Sequence, residues 1–241
     1  MTWTGSGIAA AAAWVALLAL HGDARIALDT LAALCMQIGA TATLAMYPAV
    51  LLMWLLMSVA MMLPTALPTI DLYVRLSRRM EEGRAVRIVL FVAGYLVAWG
   101  VFGAVAAAAQ VALGALPDGI LPPLVGAGSL LVLVGAYQLS PIKQACLDLC
   151  RNPLLFLMSR WREDLSGTLG LGIQHGIICI GCCWALMLLM FLSGAMNLVW
   201  MALLGLAMLA EKSFFTASSW RTGGGVLLMG AGSILIASHL I

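Results

Sequence analysis

The chain has 241 residues, of which 63% are hydrophobic and only 9% charged, with a mean hydropathy of +1.08 and a formal net charge of +2. Water-soluble domains carry roughly 25% charged residues, so the composition excludes a soluble globular protein and points to an all-α polytopic transmembrane helix bundle, a single integral membrane domain over residues 1–241. No basic, aromatic-rich face for nucleic acid and no phosphate-binding loop is present, which excludes nucleic-acid partners and a self-powered pump.

A membrane-crossing helix needs about 20 apolar residues. Spans are predicted at 8–20, 45–63, 88–113, 122–139, 170–192, 195–210 and 223–240, six or seven depending on the short first one, with an amphipathic segment at 24–43. Residues 1–7 hold no Lys or Arg, so 8–20 is expected to stay as a span rather than serve as a cleaved signal. In the second span, Met53, Met57 and Met61 recur every four residues and stack on one helix face. Their thioethers are soft, neutral ligands suited to Cu(I), although methionine also simply fills gaps between helices. Pro64 and Pro68 are expected to end this helix, because proline lacks the N–H of the next turn. Two connections are long; amphipathic surface helices are expected beside the spans, and the first connection, residues 67–87, reads as one. Residues 67–87 carry an Arg cluster, read as an orientation signal and lipid-headgroup contact. Residues 141–164 carry Cys146 and Cys150, with Pro141 placed to start a helix and Pro153 to break it.

Of the 12 Lys and Arg residues, all but Arg25 fall in the connections between spans two and three, four and five, and six and seven. The alternate connections hold none, so the basic side is cytoplasmic. The orientation places the cytoplasmic end of the second span level with the start of the fifth.

Six cysteines are present, and five of them fall between Cys146 and Cys183, with Cys35 alone. Clustering of this kind indicates metal or redox chemistry rather than a disulfide framework. The fifth span contains His175-Gly-Ile-Ile-Cys179-Ile-Gly-Cys182-Cys183. At ~100° per residue, offsets of 0, 4 and 7 share one stripe, so His175, Cys179 and Cys182 face the same way and Cys183 lies beside them. An intramembrane histidine is a functional hypothesis in its own right, and an imidazole with several sulfurs suits a soft metal ion. Cys146 and Cys150, Met57 and Met61, and Glu211 at the inner end of the sixth span are all expected at the same depth. The metal-ligand candidates are therefore His175, Cys179, Cys182, Cys183, Met57, Met61, Cys146, Cys150 and Glu211. Lys212 reads as a charge reaching for the interface, as long cationic side chains do.

Four segments, Met57-Ser-Val-Ala-Met61-Met62-Leu-Pro64-Thr-Ala-Leu-Pro68, Tyr137 to Pro153, Gly172 to Met187 with its His-x3-Cys-x2-Cys-Cys-Trp run, and Gly194 to Met201, together with Glu211-Lys212, resemble a bacterial family of metal-binding integral membrane proteins known mainly as a domain of unknown function. The resemblance extends from about residue 45 onward. It implies a multi-span inner-membrane protein that binds metal, without implying a particular metal or reaction. The chain departs from that family at Leu147-Asp148-Leu149, where a basic residue, often histidine, is expected between the two cysteines, and it lacks a Met/Gly-rich outer loop.

The favoured reading is a binding protein rather than an enzyme: a bilayer-embedded soft-metal site, copper above others, used for copper handling or for loading a partner metalloenzyme in the membrane or periplasm. An alternative is a thiol oxidoreductase whose pairs Cys146/Cys150 and Cys179/Cys182 pass electrons to a quinone or haem. Its cytoplasmic placement weighs against it, since disulfides form on the oxidising side. A third reading is an accessory subunit whose cysteines pack. Copy number in an assembly is left open.

The charge asymmetry makes a direct prediction. A reporter active only in the periplasm, fused at Glu82, should be silent; activity there would invert the orientation.

Overall fold

The computed structural model describes residues 47–77, 83–114, 123–162, 164–190, 198–213 and 218–240, plus Ala12, Val15 and Ala45 as isolated positions. The predicted first span (apart from Ala12 and Val15), the segment 24–43 and Cys35 lie outside the described residues. Those residues form eight helices and no strand: α1 (Tyr47–Leu76), α2 (Arg84–Gly114), α3 (Pro123–Gln138), α4 (Pro141–Arg151), α5 (Pro153–Arg160), α6 (Leu165–Leu188), α7 (Leu198–Ser213) and α8 (Ser218–Leu240). The all-α expectation holds. Four helices, within α1, α2, α6 and α8, are long and apolar enough to cross a membrane, and α3 with α4, bent by 59° at their junction, make a fifth candidate. The described residues thus support four or five crossings, against the six or seven expected. The 16 residues of α7 amount to about 24 Å at 1.5 Å each, short of the ~30 Å hydrocarbon core.

Two expectations fail, at the prolines and at the first long connection. α1 does not stop at Pro64 or Pro68 but runs 30 residues through both. Proline within a membrane-type helix is tolerated where neighbouring groups take over the disturbed backbone. Beside Pro64, the Met62 carbonyl accepts hydrogen bonds from the Thr65 hydroxyl at 2.9 Å and from the Tyr95 hydroxyl of α2, also at 2.9 Å, which ties this stretch of α1 to α2. Residues 67–76, expected on a surface helix, bury Ile70, Tyr73 and Val74, and the Tyr73 ring stacks on Phe91 at 4.7 Å. The connection 141–164 forms two helices, α4 and α5. Ser140 caps α4 by accepting from the Lys143 amide, Pro141 opens it, and the helix packs on α6 with Lys143 and Leu147 each 1% exposed. Asn152 separates α4 from α5, so the helix breaks before Pro153 as expected, and α5 begins there.

α6 starts five residues before its predicted limit because Asp164 caps it, accepting from the Gly167 amide at 2.8 Å and the Ser166 hydroxyl at 2.5 Å. The Ser166 bond, then the Gly167 amide, hold the Asp164 carboxyl below its ordinary range.

Helices α2 and α6 meet backbone to backbone. A Cβ at Gly172 would lie 2.1 Å from the Phe91 carbonyl oxygen, and one at Gly94 would lie 2.3 Å from that of Leu169. α3 and α8 meet in the same way through Gly128 and Gly135 against Gly232 and Gly225. Small residues at such crossings let helices approach closely enough for dispersion to hold them where no hydrophobic force acts between them.

Gly172→Leu should therefore force α2 and α6 apart and cost about 1–3 kcal/mol or more, as overpacking against rigid backbone does. Gly170 has open space around it, so Gly170→Ala should be neutral or gain up to about 1 kcal/mol from helix propensity. Thermal unfolding in detergent separates the two; equal effects would contradict the packing.

Candidate metal centre

The centre forms where α6 passes between α2, α4 and α7. Cys179, Cys182 and Cys183 occupy successive positions on the inner flank of α6, and their sulfurs all lie within 4.8 Å of one another. Each is 1–2% exposed. Cys182 Sγ lies 3.3 Å from Cys183 Sγ and 3.7 Å from Cys150 Sγ, and its thiol donates to the Cys179 carbonyl oxygen at 3.1 Å. Cys150 reaches the group because the α3–α4 bend turns α4 across α6. One helix thus supplies three sulfurs and a second helix the fourth. All five described cysteines are free thiols.

Two polar groups from other helices complete the site. The Tyr95 hydroxyl of α2 lies 3.3 Å from Cys179 Sγ while donating to the Met62 carbonyl. The Lys212 ammonium of α7 donates to Cys179 Sγ at 3.0 Å and to Thr65 Oγ1 of α1 at 2.9 Å. Neither Tyr95 nor Thr65 stood out in the sequence. The available signal was that a hydroxyl within a long apolar helix needs a partner.

The other candidates take different places. His175 is 4% exposed and lies one turn below Cys179 in an aromatic box, with ring centroids of Phe91, Tyr95 and Phe156 at 6.1, 5.5 and 5.2 Å. Its Nε2 has no hydrogen-bond partner among the described residues. Cys146, one turn before Cys150, rests on Gly181, where a Cβ would lie 2.6 Å from its sulfur. Gly181 and Gly176 thus admit neighbouring side chains and leave α6 an unbroken helix. Met57 and Met61 are buried on α1, and Met61 packs over Gly205 of α7 along a cleft also lined by Pro64 and Thr65.

Glu211 faces away from the sulfurs. Its carboxylate pairs with the buried Lys143 ammonium at 2.8 Å and accepts from the Gln138 side chain, which in turn accepts from Lys143. Its main-chain carbonyl accepts from Arg151 at 2.6 and 2.9 Å. This network ties α7 to α3 and α4, and so fixes Lys212 and Cys150 relative to each other. Removing one partner of a buried pair leaves an uncompensated charge, which costs about 3–5 kcal/mol. Glu211→Ala should cost that much in thermal unfolding, and adding Lys143→Met should recover a large part of it. Equal loss in the single and double variants would show that the pair is not coupled.

Four sulfurs, three of them on buried residues, with a cation at their edge are a donor set for a soft, thiophilic ion. Comparison with known proteins bears on this donor set. Neither a search of curated proteins nor one of solved structures finds a match. A family model described as PpoB2, copper chaperone, matches residues 51–235, from within α1 to within α8, and takes in all four sulfurs and Lys212. The match covers more than half of the chain, and the chain belongs to the PpoB2 copper chaperone family.

Proposed function

We propose that this protein is a membrane-embedded copper chaperone of the bacterial inner membrane, which binds Cu(I) as cargo within the cluster of Cys150, Cys179, Cys182 and Cys183 and delivers it to a partner metalloenzyme in the membrane or periplasm. The observation that carries the reading is the convergence of four thiols from α4 and α6 in a chain of a copper chaperone family. Soft thiolates favour Cu(I) over harder ions. Burial supports the same reading, because an ion shielded from water is withheld from stray ligands. Membrane embedding is supported by the length and apolar composition of α2 and α8, whose Val89, Val101, Val105, Leu227 and Ile234 are each more than 60% exposed.

A second reading, thiol oxidation, has one observation in its favour: the 3.7 Å approach of Cys150 and Cys182 sulfurs. Their oxidation to a disulfide would release two electrons and two protons, reducing a quinone to a quinol. The pairing differs from the two sequence-local pairs expected. Thiol titration before and after adding a quinone tests it.

Copper content decides the main reading. Detergent-purified protein should retain copper by elemental analysis, Cys182→Ser should lose most of it, and Cys35→Ser should not. Because thiols must lose protons to bind, loading should release protons and weaken as pH falls. Wild-type protein without copper, or full content in Cys182→Ser, would overturn the proposal.

A further inference from the structure

Lys212 and Glu211 are neighbours in sequence with opposite charges, and the structure sends them to opposite places. Glu211 is consumed by Lys143, Gln138 and Arg151. Lys212, half-buried, is left against Cys179 and Thr65. The sulfurs therefore face a cation whose natural counter-charge is engaged elsewhere.

Resting on the copper reading, we infer that Lys212 is the built-in counter-cation of the loaded site and matches it to a monovalent ion held by two thiolates. When Cu(I) binds, two thiols lose two protons, two sulfur–copper bonds form, and no electron moves. The complex then carries two negative charges from sulfur and one positive charge from copper, a net charge of minus one. A buried anion of this kind is costly unless paired. The Lys212 ammonium makes the sum zero. A divalent ion on the same two thiolates is already neutral, and beside Lys212 it leaves one positive charge in excess. The remaining two cysteines stay neutral thiols, which impose no further charge. Lys212 acts through the charge balance and need not touch the metal, so it is a specificity residue rather than a ligand. Thr65 keeps the ammonium beside the sulfurs without adding charge of its own.

The test compares two thiophilic ions that both favour two sulfur ligands but differ in charge, Cu(I) and Hg(II). Cu(I) affinity of the purified full-length protein is read by competition with a chromophoric chelator, and Hg(II) affinity by competition with a small dithiol. Lys212→Met should lower Cu(I) affinity by roughly 10–100-fold, the range found when a group supporting a metal site is removed. Hg(II) affinity should hold or rise. Lys212→Arg, which keeps the charge, should behave as wild type with both ions. Lys212→Gln serves in place of Lys212→Met if the latter does not fold. Parallel loss of both ions in the neutral variants, or a Cu(I) affinity that does not change, overturns the inference alone. Wild-type protein that binds no Cu(I) overturns the copper reading and this inference with it.

Discussion

The contact on which the centre depends is the backbone approach of α2 and α6 at Gly94 and Gly172. With Cβ positions only 2.1–2.3 Å from carbonyl oxygens of the opposite helix, no other residue fits either place. The approach carries Tyr95, one residue after Gly94, to the Cys179 sulfur and to the Met62 carbonyl of α1. It also brings the Phe91 and Tyr95 rings over His175. Widening this one crossing would withdraw the Tyr95 hydroxyl from the sulfurs and loosen the aromatic box together, since both hang on the same short stretch of α2. The opposite flank of α6 remains free for α4, whose Cys146 occupies the notch at Gly181.

The second constraint is electrostatic. Lys143 at 1% exposure is tenable only because Glu211 and Gln138 meet it, and those partners come from α7 and α3. A buried ion pair adds little net stability against an apolar equivalent, but it penalises misregistered packing heavily. Here that penalty falls on any arrangement in which α4 and α7 slide relative to one another. These are the helices that bring Cys150 and Lys212 to the sulfurs, so the register of the site follows from a pair of charges that do not touch it.

How much of this was legible in the sequence follows from which forces act locally. Helical spacing put Cys179 and Cys182 on one stripe, with Cys183 beside it, and the three sulfurs lie together. Periodicity also revealed the methionine stripe and the apolar helices. It did not reveal that α1 would pass through Pro64 and Pro68, because the contacts that hold this stretch in the bundle, such as the Tyr95 hydroxyl on the Met62 carbonyl, come from 33 residues away. Nor did it place Glu211 and Lys212. The sequence offers Glu211 as a ligand and Lys212 as an interface charge, whereas the structure pairs Glu211 with Lys143 and sets Lys212 against Cys179. Lys143 was read as a topology charge, and its burial depends on a bend of 59° between α3 and α4 that no local pattern encodes. His175 shares the stripe of the cysteines, yet its ring is held among aromatics.

Burial of the sulfurs sets the terms on which copper would leave. Three of the four are almost fully shielded, whereas Cys150 on α4 is only half-buried. Exchange of a metal between proteins proceeds by one incoming ligand replacing one outgoing ligand, so it begins at the sulfur an incoming group can reach. Of the four residues Cys150 is the least buried, and it is also the one held by a separate helix. The three sulfurs of α6 move as a unit with a helix clamped to α2, while Cys150 is tied to the rest through Arg151 and the Lys143–Glu211 pair. For the proposed copper site, the division would mean one part on α6, clamped to α2, and a separate part on α4.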